Sequence, residues 1–157
     1  MKKLILFLTV TCTIFSCDKP EYGTTDLEIL SKKLFDTFRD NDMQKSAFLL
    51  PDKGTYRKIE ADNNHEYADI NKAYDAFISN AENNFNTLKS KTDNWEKCKY
   101  ERSITSDSKM GKLAVSAVVV KFDNDGIPAK FEFTAIKFNN RWFYYGDAKW
   151  VEKAPVN

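Results

Sequence analysis

Residues 131–142 read Phe131-Glu132-Phe133-Thr134-Ala135-Ile136-Lys137-Phe138-Asn139-Asn140-Arg141-Trp142. Aromatic and β-branched side chains alternate with polar ones and then meet two asparagines, which tolerate the left-handed backbone of a two-residue hairpin. The pattern predicts a strand over 129–138 and its return over 141–146, with Trp150 and Val151 as an extension. Upstream, Asp123-Asn124-Asp125-Gly126 is a second turn signal. The valine-rich run 113–122 before it predicts a central strand covered on both faces. Cys98, Tyr100 and Ile104 alternate with Lys97, Lys99, Glu101 and Ser103, which predicts a further strand ahead of that one.

Before Asp93 the period is helical. Thr25-Asp26-Leu27-Glu28 has the form of a capping box, with the Thr25 hydroxyl accepting from the first turn and Glu28 reaching back. Leu27, Leu30, Leu34, Phe35 and Phe38 then fall on one face of a helix over 25–39. A short helix is expected over 43–50 and another over 52–61, with Pro51 at the first helical position and Tyr56 and Ile59 facing inward. The strongest stripe is Ile70, Ala73, Tyr74, Phe77, Ala81, Phe85 and Leu88, in a long helix over 66–91. Helices first and hairpin-linked strands second imply an α+β fold, with N-terminal helices packed on a curved four-stranded antiparallel sheet and the long helix on its concave side. The chain has 157 residues, enough for one domain; 42% hydrophobic and 14% aromatic residues supply a sizeable core. Near-balanced charge, with 24 basic and 23 acidic residues, gives no basic footprint for nucleic acid.

The first 16 residues read as an export signal. Lys2 and Lys3 precede an apolar stretch too short to span a bilayer, and it ends in Ile14-Phe15-Ser16-Cys17 ahead of Asp18-Lys19-Pro20-Glu21. Ile14, Ser16 and Cys17 resemble the lipobox of bacterial lipoproteins; Phe15 is larger than the usual residue at its place. The resemblance implies cleavage before Cys17, acyl chains on its thiol, and a chain lipid-anchored in the cell envelope. Residues 17–24 would be a polar tether, 25–151 the folded domain and 152–157 a tail. The alternatives are an ordinary secretory signal cut nearby and a cytosolic chain with an apolar first strand. Processing leaves 22 basic against 23 acidic residues, so no basic cluster adds membrane attraction. With Cys12 removed and Cys17 acylated, Cys98 stands alone as a buried small hydrophobe, and no internal disulfide is available.

The order of elements, together with the closing hairpin in which Trp142 follows a polar turn, is similar to the NTF2-like (SnoaL-like, cystatin-like) cone fold over about residues 25–148. The early hairpin that many members carry is absent. That superfamily includes isomerases, dehydratases, transport factors and binding modules, so the resemblance implies a fold and not an activity.

Candidate chemistry is sparse. His65, the single histidine, sits in a polar Asn63-Asn64-His65-Glu66 stretch and reads as solvated. Asp123, Asp125 and Gly126 lack the ligand spacing of a calcium loop, and isolated glycines make no phosphate loop, so neither a metal nor a cofactor is expected. Arg102 shares the strand parity of Cys98, Tyr100 and Ile104, and Glu132 lies between Phe131 and Phe133. If these strands line a cone, Arg102 and Glu132 would be its polar groups and Tyr100 and Trp142 its walls. The bland alternative for both charges is the sheet rim. The expected function is a non-enzymatic module binding a small molecule, a peptide or a protein. The alternative is an isomerase- or dehydratase-type enzyme with a small apolar substrate in the cone, and a homodimer joined by sheet faces is a third reading. An interior filled by Phe77, Phe85, Phe133 and Trp142 would favour the module; a hollow one holding Arg102 or a buried carboxylate would favour the enzyme.

Overall fold

The computed structural model describes residues 21–151; the expected signal, Cys17 and the tail lie outside them. Four strands, β1 (Lys99–Met110), β2 (Leu113–Asn124), β3 (Ile127–Phe138) and β4 (Arg141–Trp150), form one antiparallel sheet in the order β1-β2-β3-β4. Each hairpin closes through two residues. Asn139 and Asn140 hold φ of 49° and 60°, and Asp125 and Gly126 hold 53° and 88°. Positive φ at both central positions matches the turn twist to the strand twist, which is why asparagine and glycine occupy them. The sheet is open, with β1 and β4 at its edges, and the α+β arrangement is the one expected from the sequence.

Three α-helices, α1 (Leu27–Arg39), α2 (Lys53–Asp62) and α3 (Ile70–Lys89), and two 3-10 segments, Met43–Leu49 and Trp95–Lys97, pack with this sheet. Strand alternation sends Val118, Val120, Phe122, Phe131, Phe133, Ala135 and Tyr144 to one face, the inner one, where all are buried. Helix α1 fills the middle of that face. Phe35 meets Tyr100, Phe122 and Trp95 at ring separations of 5.6, 5.5 and 6.0 Å, and Phe38 meets Phe85, Phe131 and Trp95 at 5.9, 5.8 and 5.1 Å. The long helix was expected to fill the concave side. It shares that inner side with α1 and packs there chiefly along β4, with Phe85 against Tyr144 and Phe77 against Tyr145. Its seam is shared between β4 and α2, where Tyr56 stacks on Phe77 at 5.0 Å.

The opposite, outer face is covered in its upper half only. Ile59 of α2 packs there with Leu113, Ile136 and Phe143. Below them Ala117 and Ile104 are exposed and Val119 is half-buried. The valine-rich strand is therefore covered on both faces at one end and on one face at the other, a correction to the sequence expectation.

Local details also differ. Asp26, not Thr25, caps α1, its carboxylate accepting from the Glu28 and Ile29 N–H groups at 2.7 and 3.3 Å. Glu28 turns away to the sheet. Asp52 caps α2, so Pro51 precedes the cap rather than opening the helix, and Asp69 caps α3 three residues after the expected start. Strand β1 continues to Met110, six residues past Ile104.

The end of the expected tether is part of the fold. Thr24 and Trp142 exchange backbone hydrogen bonds of 2.9 and 2.6 Å. Arg141 donates from Nε to the Tyr22 carbonyl at 2.6 Å and from Nη2 to that of Gly23 at 2.8 Å. Gly23 sits at φ 69°, and a Cβ there would lie 2.6 Å from the Phe143 ring and 2.7 Å from the Trp142 carbonyl oxygen. The left-handed backbone and the close approach both require glycine. Gly23→Ala is expected to lower the unfolding free energy by about 2 kcal/mol or more, measured by urea denaturation; a wild-type midpoint would show that this segment does not dock.

Candidate functional site

The four residues proposed from sequence do not converge. Tyr100 pairs with Phe122 on the inner face. A β-bulge at Glu101 then shifts the register, so that Arg102 pairs with Lys121 and points outward. One extra residue reverses the face of every later side chain, which overturns the parity that placed Arg102 beside Tyr100. Glu132 pairs with Val119 on the outer face and holds Lys149 at 2.8 Å. Trp142 lies at the far end of the inner face, paired with Lys137, whose Nζ is 5.6 Å from its ring centre.

Tyr100 instead joins β1 to α1. Its hydroxyl donates to Glu28 Oε1 at 2.6 Å, and Ser103 donates to Oε2 from Oγ at 2.5 Å and from its N–H at 3.3 Å. Burial raises the Glu28 carboxyl, but the bonds from Ser103 and Tyr100 outweigh it and hold the group below its ordinary value of 4.5. Burial pushes the Tyr100 phenol well up, helped by the bond to Glu28. Cys98 follows the 3-10 turn before β1; burial, then the charges of Asp123, Glu96 and Asp125, pushes its thiol up to about 11. It is a packed side chain, and burial of this kind disfavours the thiolate.

A different polar cluster emerges behind α2. Glu60 is buried, with 2% of the residue exposed. Its Oε2 accepts from the Tyr67 hydroxyl at 2.9 Å and lies 2.8 Å from His65 Nδ1, while Oε1 accepts from the Tyr145 hydroxyl. Burial raises the Tyr145 and Tyr67 phenols, and the bond to the Glu60 carboxylate adds to both. His65 is thus half solvated and half engaged. Sequence spacing held one sign of this, since Glu60 follows Tyr56 by four residues and shares its inward side. Nothing in the sequence marked Tyr67 and Tyr145 as its partners.

The larger cavities lie elsewhere. One groove, about 800 Å³, runs between the 3-10 segment Met43–Leu49 and α3. Leu50, Ile78 and Phe85 give it apolar surface, Tyr22 and Tyr74 are aromatic walls, and Asp75 and Glu82 place two carboxylates along it. Among the described residues, no group of three His, Cys, Asp or Glu side chains is placed to hold a metal ion. No family model, curated protein or solved structure matches this chain.

Two outcomes follow from these contacts. Tyr145→Phe removes a charge-assisted bond to a buried carboxylate and is expected to cost about 1.5–3 kcal/mol of stability by urea unfolding; a cost under about 0.5 kcal/mol would mean Glu60 is satisfied without it. The Glu28 carboxyl is depressed in the folded state, so its contribution is present above pH 4.5 and is lost as pH falls through the folded value. Tyr100→Phe should therefore flatten the acid limb of the stability–pH curve below about pH 4.5, and an unchanged limb would contradict this.

Proposed function

We propose that this chain is an envelope lipoprotein, anchored through acylated Cys17, whose NTF2-like α+β body is a non-enzymatic binding module. The observation that carries the reading is the filled interior. Phe85 and Phe133 are buried, Phe77 and Trp142 are partly buried at the edge of the same core, and Phe35, Phe38, Phe122, Phe131 and Tyr144 complete it. A cone substrate needs a cavity of about 300–1,000 Å³, and aromatic rings stand where it would lie. Arg102 is outside. Among the described residues no helix is long and apolar enough to cross a membrane, which is compatible with attachment by lipid.

Binding is then a property of the surface, and the groove beside α3 is the concave place for it. Two carboxylates over an apolar floor with tyrosine walls favour a ligand that joins an apolar body to a cationic group. The enzyme reading draws on Glu60, a buried carboxylate ringed by phenols. Its oxygens are already occupied by Tyr67, His65 and Tyr145, so a substrate proton would have to displace one of them.

Intact-mass analysis of the mature protein is expected to place its N-terminus at Cys17 with attached acyl chains; an unmodified N-terminus at any other residue would end the anchor. Benzyltrimethylammonium is expected to shift the amide resonances of Met43, Ile78 and Glu82, and Ala47→Trp, which fills the groove from its exposed wall, should abolish those shifts while leaving the melting temperature unchanged. Shifts that persist in the variant would place binding elsewhere.

A further inference from the structure

The bulge at Glu101 does more than turn Arg102 outward. It brings Arg102 opposite Lys121, and Lys121 is opposite Lys130, so three cations stand in line across β1, β2 and β3. With strands about 4.8 Å apart, the row spans about 10 Å. None of the three has a carboxylate within ion-pair distance among the described residues, although Glu132 on the same face is paired with Lys149. Like charges directly opposite one another in a sheet are destabilising. Protection of an edge strand accounts for a cation on β1. It does not account for Lys121 and Lys130, which stand on interior strands and are half-buried. The row borders a hollow of about 660 Å³ edged by Ile127, Pro128 and Trp150, where three cations face a single carboxylate, Glu101 of the bulge. Beside it run exposed Ile104 and half-buried Val119, paired with each other in the part of the outer face that α2 leaves uncovered.

We propose that this Arg102–Lys121–Lys130 row and the Ile104–Val119 strip beside it form a docking site for an acidic segment of a protein partner. Charge complementarity selects an anion, and the adjoining apolar strip selects a peptide over a bare polyanion. The row lies at the end of the sheet that holds the β2–β3 turn. Residues 22–24 dock at the opposite end, against Trp142 and Phe143. A chain anchored through its N-terminus would carry the row on the side away from that anchor, which argues against lipid headgroups as the occupant. The site stands apart from the groove beside α3, so either can fail without the other.

The test measures fluorescence anisotropy of a labelled peptide of alternating glutamate and leucine against residues 18–157. Saturable binding that weakens with added salt is expected, and Arg102→Gln with Lys121→Gln and Lys130→Gln should weaken it about tenfold or more. Lys121→Gln alone is expected to raise the melting temperature, because it relieves repulsion in the row; a fall would mark Lys121 as a structural residue and count against the proposal. Removal of residues 152–157 should leave binding in place. Equal binding by the triple variant, loss of binding on that truncation, preference for phosphatidylglycerol vesicles over the peptide, or a dimer in sedimentation equilibrium that the triple variant abolishes would each overturn it.

Discussion

The packing of two rings of α1, Phe35 and Phe38, against Phe122, Phe131 and Trp95 is the constraint from which the rest of the molecule follows. Phe35 contacts Phe122 and Trp95, and Phe38 contacts Phe131 and Trp95, at ring separations of 5.1–6.0 Å across one helix, two strands and a 3-10 turn. Each aromatic side chain buries some 150–250 Å², and truncating one in a core costs about 3–5 kcal/mol. Once α1 occupies the middle of the sheet, α3 is left the β4 side, and aromatic rings fill the space between helices and sheet. The polar groups singled out in the sequence are correspondingly dispersed. Tyr100 serves as a strut to Glu28, Glu60 is locked behind α2, and Arg102 and Glu132 face outward.

The two faces of the sheet are unequal for the same reason. Covering the inner face takes α1, α3 and the 3-10 turn at Trp95, which leaves α2 and the segment at Tyr22 for the outer face. Helix α2 has 10 residues and reaches only the end that carries Leu113, Ile136 and Phe143. The uncovered remainder is where cations and a short apolar strip accumulate. At the covered end, Gly23 and Thr24 close against β4, so that docked N-terminal segment and the open outer surface lie at opposite ends of the strands.

The strands and turns were legible because their signals are local. A period of two, a valine run and an Asn-Asn pair each act through a few neighbouring residues, and hairpins follow from them. The helices were legible to within a few residues for the same reason. What sequence could not show depends on partners distant in the chain. Thr25 and Asp26 are both good caps, and the choice fell to Asp26. Glu28 could have closed a capping box but found Tyr100 and Ser103, more than 70 positions later. The bulge was hidden because Glu101 looks like any exposed strand residue, yet that single insertion decides on which side Arg102 lies. The Glu60 cluster was half visible in the Tyr56–Glu60 spacing. Its phenols come from a loop and from β4, which only the fold brings together.

The filled interior is the central claim, and xenon tests it most directly, because a dry apolar cavity takes up xenon and a close-packed core does not. NMR spectra of the methyl and ring protons of Val118, Val120, Phe131 and Phe133 would be recorded under increasing xenon pressure. A filled interior predicts small shifts that grow linearly without saturation. Saturable shifts confined to those inner-face protons would reveal a hollow cone and contradict a molecule that binds at its surface.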